Sequence, residues 1–142
     1  MEYTKEELLA RCNQMCKNTL METLNIEFVD FNDHSITAKM PVNSRVHQPD
    51  GVLHGGASVA LAESVGSAAA FIFLGKKDVQ VRGIEIAANH VKSIREGAVF
   101  AKAEIMHKGR TTQLWQIRIT DEQNNLISLV KLTTLTLYKE QP

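Results

Sequence analysis

Between Ala57 and Leu74 the sequence carries one ionisable residue, Glu63, in the middle of an apolar run. A carboxylate there is costly unless it is paired or used. Facing a pocket it would be partly desolvated, and a stronger base than an exposed carboxylate. An isolated helical Glu more commonly reaches solvent or pairs with an Arg, but the neighbours shift that balance. At helical spacing Ala60, Glu63, Gly66, Ser67 and Ala70 share one stripe. Side chains this small leave room beside the carboxylate, either for a flat ligand or for the same helix of a second subunit.

Chemistry is also concentrated just upstream. His54-Gly55-Gly56 opens the apolar run, and the free N–H groups of a helix start carry the positive end of its dipole. Glycines let a substrate carbonyl approach those groups with no Cβ in the way. Such a terminus can stabilise a developing oxyanion, with Gly55 N–H as the best donor; losing one such donor costs on the order of 3 kcal/mol. Eight positions separate Gly55 from Glu63, roughly 12 Å along a helix axis. Gln48 and His54 bracket the turn before the helix and could orient the same carbonyl, whereas His47 reads as loop surface. Neither Cys12 nor Cys16 lies near these elements in sequence, so no Cys/His or Ser/His/Asp triad is evident.

The elements that must position these groups are legible in outline. Thr4-Lys-Glu-Glu7 has the form of a capping box, and apolar residues then recur at helical spacing, predicting one helix over 5–20. Strands are expected over 26–31 and 35–41, joined by a turn at 32–34. Gln48-Pro49-Asp50-Gly51 is turn chemistry. A helix over about 55–74 follows, apolar nearly all round and so buried on most sides, with Gly75 as a left-handed cap. Strands over 79–94, 98–107, 111–121 and 126–138, separated by hairpin-type breaks, predict a four-stranded antiparallel meander. The expected fold is a single α+β domain over 1–142, one antiparallel sheet wrapped against one central helix.

Composition removes several function classes. The chain has 142 residues, 44% hydrophobic and 23% charged, with sixteen Lys plus Arg against sixteen Asp plus Glu. A net charge of zero argues against a duplex nucleic-acid binder, which needs a basic excess. No signal peptide is readable at the start, and Glu63 with its small neighbours argues against a membrane span. Cys12 and Cys16 would share a helix face as small buried thiols, consistent with a reducing, cytoplasmic setting. No further ligands stand near them for a metal.

The segment Gln48-Pro-Asp-Gly-Val-Leu-His54-Gly-Gly-Ala-Ser-Val-Ala-Leu-Ala-Glu63-Ser-Val-Gly-Ser67 closely resembles the signature of hotdog-fold thioesterases. The branch is the phenylacetate-degradation type, related to the Arthrobacter-type 4-hydroxybenzoyl-CoA thioesterases. Similarity continues through 85–97, 107–117 and 132–134. Within it the pattern looks closest to the menaquinone-pathway 1,4-dihydroxy-2-naphthoyl-CoA thioesterases and their enterobactin-pathway relatives, which act on aryl groups loaded on carrier proteins. Asp50 and Val52 depart mildly from the usual residues and put acyl preference, more than chemistry, in doubt.

The resemblance implies a hotdog fold and hydrolysis of an aryl or related acyl-CoA. Glu63 would act as general base or nucleophile, and Gly55 N–H would polarise the carbonyl, helped by Gln48 and His54. Ser67 would line the acyl or water site. Asn89, His90, Val91, Lys92 and Ser93 would follow the pantetheine arm, and Lys108, Gly109 and Arg110 would lie near the nucleotide phosphates. A cation-bearing hairpin turn suits a polyanion, although such a turn also serves solubility alone. No cofactor is implied, coenzyme A being part of the substrate. A homodimer is implied, usually associating into a homotetramer, with Glu63 from one subunit meeting Gln48 and His54 of the other. The alternatives are a thioesterase for carrier-protein substrates, a hotdog hydratase or dehydratase, and a non-catalytic acyl-CoA sensor, which intact Glu63 and Gly55 disfavour.

Overall fold

The computed structural model describes residues 3–75 and 78–139; Met1 and Glu2, which were part of the reading for a leader, lie outside them. Thr4 caps the first helix as expected: its Oγ1 accepts from Glu7 N at 3.2 Å, while Glu7 Oε2 accepts from Thr4 N at 2.8 Å. The helix α1 then runs over Lys5–Met15 only. The expected continuation to residue 20 fails because Asn18 turns left-handed at φ 60°, a conformation that short polar side chain tolerates. Thr19 then starts a separate turn, α2 (Leu20–Thr23), with its hydroxyl accepting from Met21 N.

Six strands form: β1 (Glu27–Phe31), β2 (Ser35–Val42), β3 (Val79–His90), β4 (Gly97–Lys108), β5 (Thr112–Thr120) and β6 (Leu126–Tyr138); five follow the expected bounds closely, whereas β3 stops at His90, four residues short of the expected end at 94. Between β2 and β3 lies the long helix α3 (Gly55–Leu74), closed by Gly75 at φ 59°. All pairings are antiparallel, but the spatial order is β1-β2-β4-β5-β6-β3. The expected four-stranded meander is therefore three-stranded, β4-β5-β6, and β3 pairs with β6 at the far edge. Residues 91–96, which include the supposed hairpin break at Glu96-Gly97, instead cross the end of the sheet. That crossing covers three strand spacings, roughly 14 Å, within reach of six extended residues.

The sheet curls around α3, which touches every strand from β2 to β6. Its length and composition would suit a membrane span, yet here it is the core helix of the sheet. Leu61, Ala62, Val65, Gly66, Ala69 and Ala70 are buried against Ile117, Val130 and Leu132. Gly66 permits this close packing, because a Cβ there would stand 2.5 Å from Leu132 Cδ2. Phe73 stacks on Phe31 and tilts against Trp115 at the C-terminal end of α3.

On the other face of α3, α1 is fixed to the edge strand by one side chain. Asn13 Nδ2 donates to Phe28 O at 3.0 Å, and Phe28 N donates to Asn13 Oδ1 at 2.7 Å. The amide thus satisfies both polar groups of one residue on β1, as a further strand would. Asn13→Ala leaves both without a protein partner, and we expect a loss of about 1–3 kcal/mol. A lower urea midpoint at unchanged m would show it; an unchanged midpoint would mean that water replaces the amide at no cost.

Candidate active site

The Glu63 side chain is half-buried and lines a cavity of about 670 Å³ between α3, the start of β3 and the α1–α2 segment. The walls are mostly apolar, with Met15, Leu20, Met21, Phe28 and Phe71 among them. Ser67 and Ala60 share this wall with Glu63, whereas Gly66 and Ala70 of the expected stripe are buried toward the sheet. The stripe thus divides along the helix between a wet side and a packed side. Among the described residues no hydrogen bond or ion pair engages the Glu63 carboxylate. The paired structural Glu is therefore not what the fold contains. Arg82 lines the same cavity, but Nη1 donates to Val81 O at 3.0 Å and Nη2 to Gln80 Oε1 at 3.2 Å. Ser64 also lines the cavity, its hydroxyl donating to Ala60 O at 2.7 Å.

Two features of this cavity escape a reading of the sequence. Cys12 and Cys16 line it, although they are remote from Glu63 in the chain, because α1 folds back over α3. The expectation that neither cysteine comes near the site is overturned. Burial pushes the Cys12 thiol up, with Cys16 beside it adding to the effect, and burial alone pushes Cys16 up. Protonated thiols are poor nucleophiles, so they serve as apolar wall and no Cys/His pair is created. The second feature is Gly83, where the pairing of β3 with β6 is interrupted. A Cβ there would stand 2.5 Å from Glu63 Oε1. A glycine inside a strand can signal such a close approach, and this one does.

The remaining candidates gather at the N-terminal end of α3. His54 is the N-cap, its Nδ1 accepting from Gly56 N at 2.7 Å. That assigns the proton of the neutral ring to Nε2, which faces outward as a donor. Gln48 C=O closes the expected turn by accepting from Gly51 N at 3.0 Å, and Gly51 has φ 75°. The Gln48 Oε1 accepts from Asp50 N, leaving its amide NH2 free to donate. His47 proves structural, bonding through Nε2 to Arg95 O at 2.7 Å, while Arg95 Nη1 donates to Asp50 O at 3.2 Å. His90, at the end of β3, lies over Gly55: a Cβ on that glycine would stand 2.8 Å from His90 Nε2.

Asn89, Val91, Lys92 and Ser93 are exposed beside His90, with Val91 N and Lys92 N both donating to Ile127 O. Lys108, Gly109 and Arg110 form the β4–β5 hairpin tip, where Gly109 N donates to Thr112 O at 2.8 Å and Tyr138 Oη to Arg110 O at 2.8 Å. That tip lies at the Val79 end of β3, roughly 36 Å from His90 along the strand. One protomer thus brings together Glu63 with Ser67, and separately Gly55, His54 and Gln48 with residues 89–93. It does not join these two groups, nor either of them to Arg110 in a single pocket. Among the described residues no three His, Cys, Asp or Glu side chains converge as metal ligands would.

Residues 50–128 match the family described as the Thioesterase superfamily. The chain is 42% identical over 137 residues to the 1,4-dihydroxy-2-naphthoyl-CoA hydrolase of Escherichia coli (strain K12), covering 96% of this chain and 100% of that protein. It is 40% identical over 138 residues to the proofreading thioesterase EntH of Cronobacter turicensis, covering 96% and 99%. Its structure is similar to that of a mutant thioesterase from Pseudomonas aeruginosa, with a TM-score of 0.90 and 41% identity over 92% of this chain and 94% of that one.

Gly83→Ala should displace the Glu63 carboxylate while sparing the core, and a 1 Å displacement of a reacting group can cost about a hundredfold in rate. We expect a kcat loss of about that size with cooperative unfolding retained. A wild-type kcat would mean that the carboxylate need not hold this position.

Proposed function

The chain belongs to the Thioesterase superfamily, with the hotdog fold, and is a thioester hydrolase; from that premise we propose that it cleaves aryl acyl-CoA, with Glu63 as the general base. The observation that carries this reading is the unpartnered Glu63 carboxylate in a largely apolar cavity of about 670 Å³. That volume lies in the usual range for small-molecule sites, and mostly apolar walls suit an aromatic acyl group. The 1,4-dihydroxy-2-naphthoyl group, taken from the name of the E. coli relative, is the specific substrate proposed.

In the proposed reaction Glu63 takes a proton from water as the water oxygen adds to the thioester carbonyl. Gly55 N–H, with the donors of Gln48 and His54, holds the negative charge that develops on the carbonyl oxygen. The carbon–sulfur bond then breaks, and the thiolate of coenzyme A recovers the proton from Glu63. Direct attack by Glu63 would instead form a mixed anhydride and expel the thiolate; water adding to the Glu63 carbon of that anhydride would leave label in the Glu63 carboxylate after a single turnover in ¹⁸O-water.

The reaction needs both groups of residues, which one protomer holds apart. β3 has β6 on one side and an open edge on the other, with Ile84 and Val91 exposed. Antiparallel pairing of two β3 edges would lay residues 79–82 of one subunit, which line the Glu63 cavity, beside the His90 end of the other. We therefore propose a homodimer with composite sites, the further tetramer being the family's usual assembly. The same pairing would carry the partner's Lys108–Arg110 hairpin to the His90 end, where it would meet the nucleotide of coenzyme A. Cys12 and Cys16 are free thiols, which supports a cytoplasmic location.

The test is free-thiol release from benzoyl-, 4-hydroxybenzoyl-, 1,4-dihydroxy-2-naphthoyl- and medium-chain acyl-CoA, with Glu63→Gln beside wild type. We expect fastest release from the naphthoyl substrate and loss of most turnover in the variant, the oligomer staying folded. Wild-type kcat in Glu63→Gln would remove that residue from the mechanism. Release only from aryl groups on a carrier protein would replace coenzyme A as the carrier. Hydration of an enoyl group without thiol release would replace hydrolysis. Separately, Arg110→Ala should raise KM more than it lowers kcat, since a phosphate contact gives mainly uniform binding. An unchanged KM would move the phosphate site elsewhere.

A further inference from the structure

Ser128 lies on β6 directly opposite His90 on β3. It is fully buried, and its Oγ stands 2.6 Å from His90 Nδ1. Among the described residues this is the one hydrogen bond of the Ser128 hydroxyl. The opposite edge of the same imidazole covers Gly55, where only the absence of a Cβ leaves room for Nε2. A buried residue, a ring and the first residue of α3 are thus in line, and no part of the mechanism above uses the first two.

The direction of the 2.6 Å bond decides what His90 can do. If Nδ1–H donated to Ser128, the serine O–H would be buried with no acceptor, at a cost of about 1–3 kcal/mol. Nε2 would then be a bare acceptor, competing with substrate for the N–H groups of α3. If Ser128 O–H donates to Nδ1, every polar hydrogen of the pair is used, and the proton of the neutral ring sits on Nε2.

We propose that Ser128 is a positioning residue that holds His90 as its Nε2–H tautomer, so that His90 donates to the thioester carbonyl oxygen beside Gly55 N–H. This rests on the thioesterase reading and assigns it a further oxyanion donor, beside those of Gln48 and His54, from the same protomer as Gly55. His90 then belongs to the reacting centre and not only to the pantetheine path. Gly55 carries no Cβ, which leaves room for Nε2 beside it.

The first test needs no substrate. In the resting protein, ring ¹⁵N shifts of His90 should report a protonated Nε2 and an unprotonated Nδ1 at neutral pH. A protonated Nδ1 in the wild type overturns the proposal. In Ser128→Ala the preference for Nε2–H should weaken, and kcat should fall by about tenfold at a KM within about twofold of wild type, as expected when a transition-state donor is loosened. His90→Ala should lose about a hundredfold in kcat, the cost of one oxyanion donor. Ser128→Thr keeps the hydroxyl and should restore both the tautomer and kcat, which a purely structural role for Ser128 would not link. Wild-type kcat in Ser128→Ala, with thiol release intact, overturns this inference alone. Absence of thiol release from wild type overturns the underlying reading, and the nitrogen shifts still decide the tautomer.

Discussion

One helix has to be enclosed by one sheet, and most of the structure follows from that. α3 is apolar over twenty residues, so leaving it exposed would forfeit roughly 1.5–3 kcal/mol for each large side chain. Curling the sheet around it buries Leu61 and Val65 completely, together with Trp115, Ile117 and Leu132 facing them. The small residues Ala62, Gly66, Ala69 and Ala70 let the backbone of the helix approach the strands closely. Enclosure is incomplete along Ala60, Glu63, Ser67 and Phe71, with Ser64, Ala68 and Ile72 beside them, and there α1, α2 and β3 stand off to form the cavity. The carboxylate is tolerated in the centre of the helix because it opens on that cavity, where Gly83 of β3 presents no side chain to it.

The same geometry separates the two functional groups. Donors at a helix terminus are fixed to that terminus, and a side chain two turns further on cannot return to it. A single straight helix can therefore supply a base and an oxyanion donor only to two different places, about 12 Å apart along its axis. The open β3 edge offers a resolution, since antiparallel pairing superposes opposite ends of equivalent strands. Composite sites are on this view a consequence of placing both functions on one helix.

Much of this was legible locally. The bounds of α3, the Thr4 capping box, the Gln48–Gly51 turn and the strand limits other than the end of β3 all depend on residues close in sequence, and they match. The strand order was not legible. Whether β3 joins β4 or β6 depends on where residues 91–96 cross, and that crossing is fixed by Leu53 N donating to Ile94 O and His47 bonding Arg95 O. Helical periodicity likewise hid the break at Asn18, because the apolar spacing of α1 is kept across it by a left-handed residue and a new cap. The cavity walls were hidden for the same reason: Cys12, Met15 and Met21 meet Glu63 only through the fold. Gly83 did carry a local signal, a glycine within a strand, and its meaning depended on knowing what lies across from it.

The charges around Glu63 bear on how the reaction ends as well as how it begins. Arg82 is the one cation among the described residues lining the cavity, and its guanidinium is engaged by Val81 O and Gln80 Oε1. The donors at the α3 terminus are N–H groups of neutral residues. An adjacent cation would pair with Glu63 and weaken it as a base, and it would also bind the carboxylate product. In the proposed reaction, hydrolysis of the thioester replaces a neutral acyl group by an anion, which would then share the cavity with Glu63. Two carboxylates at close range repel each other, and with no cation free to compensate, that repulsion favours release. Neutral donors can still stabilise the oxyanion, because its charge develops at the helix terminus and is gone once the acid has formed. The site is thus polarised for the transition state and poorly suited to hold the product.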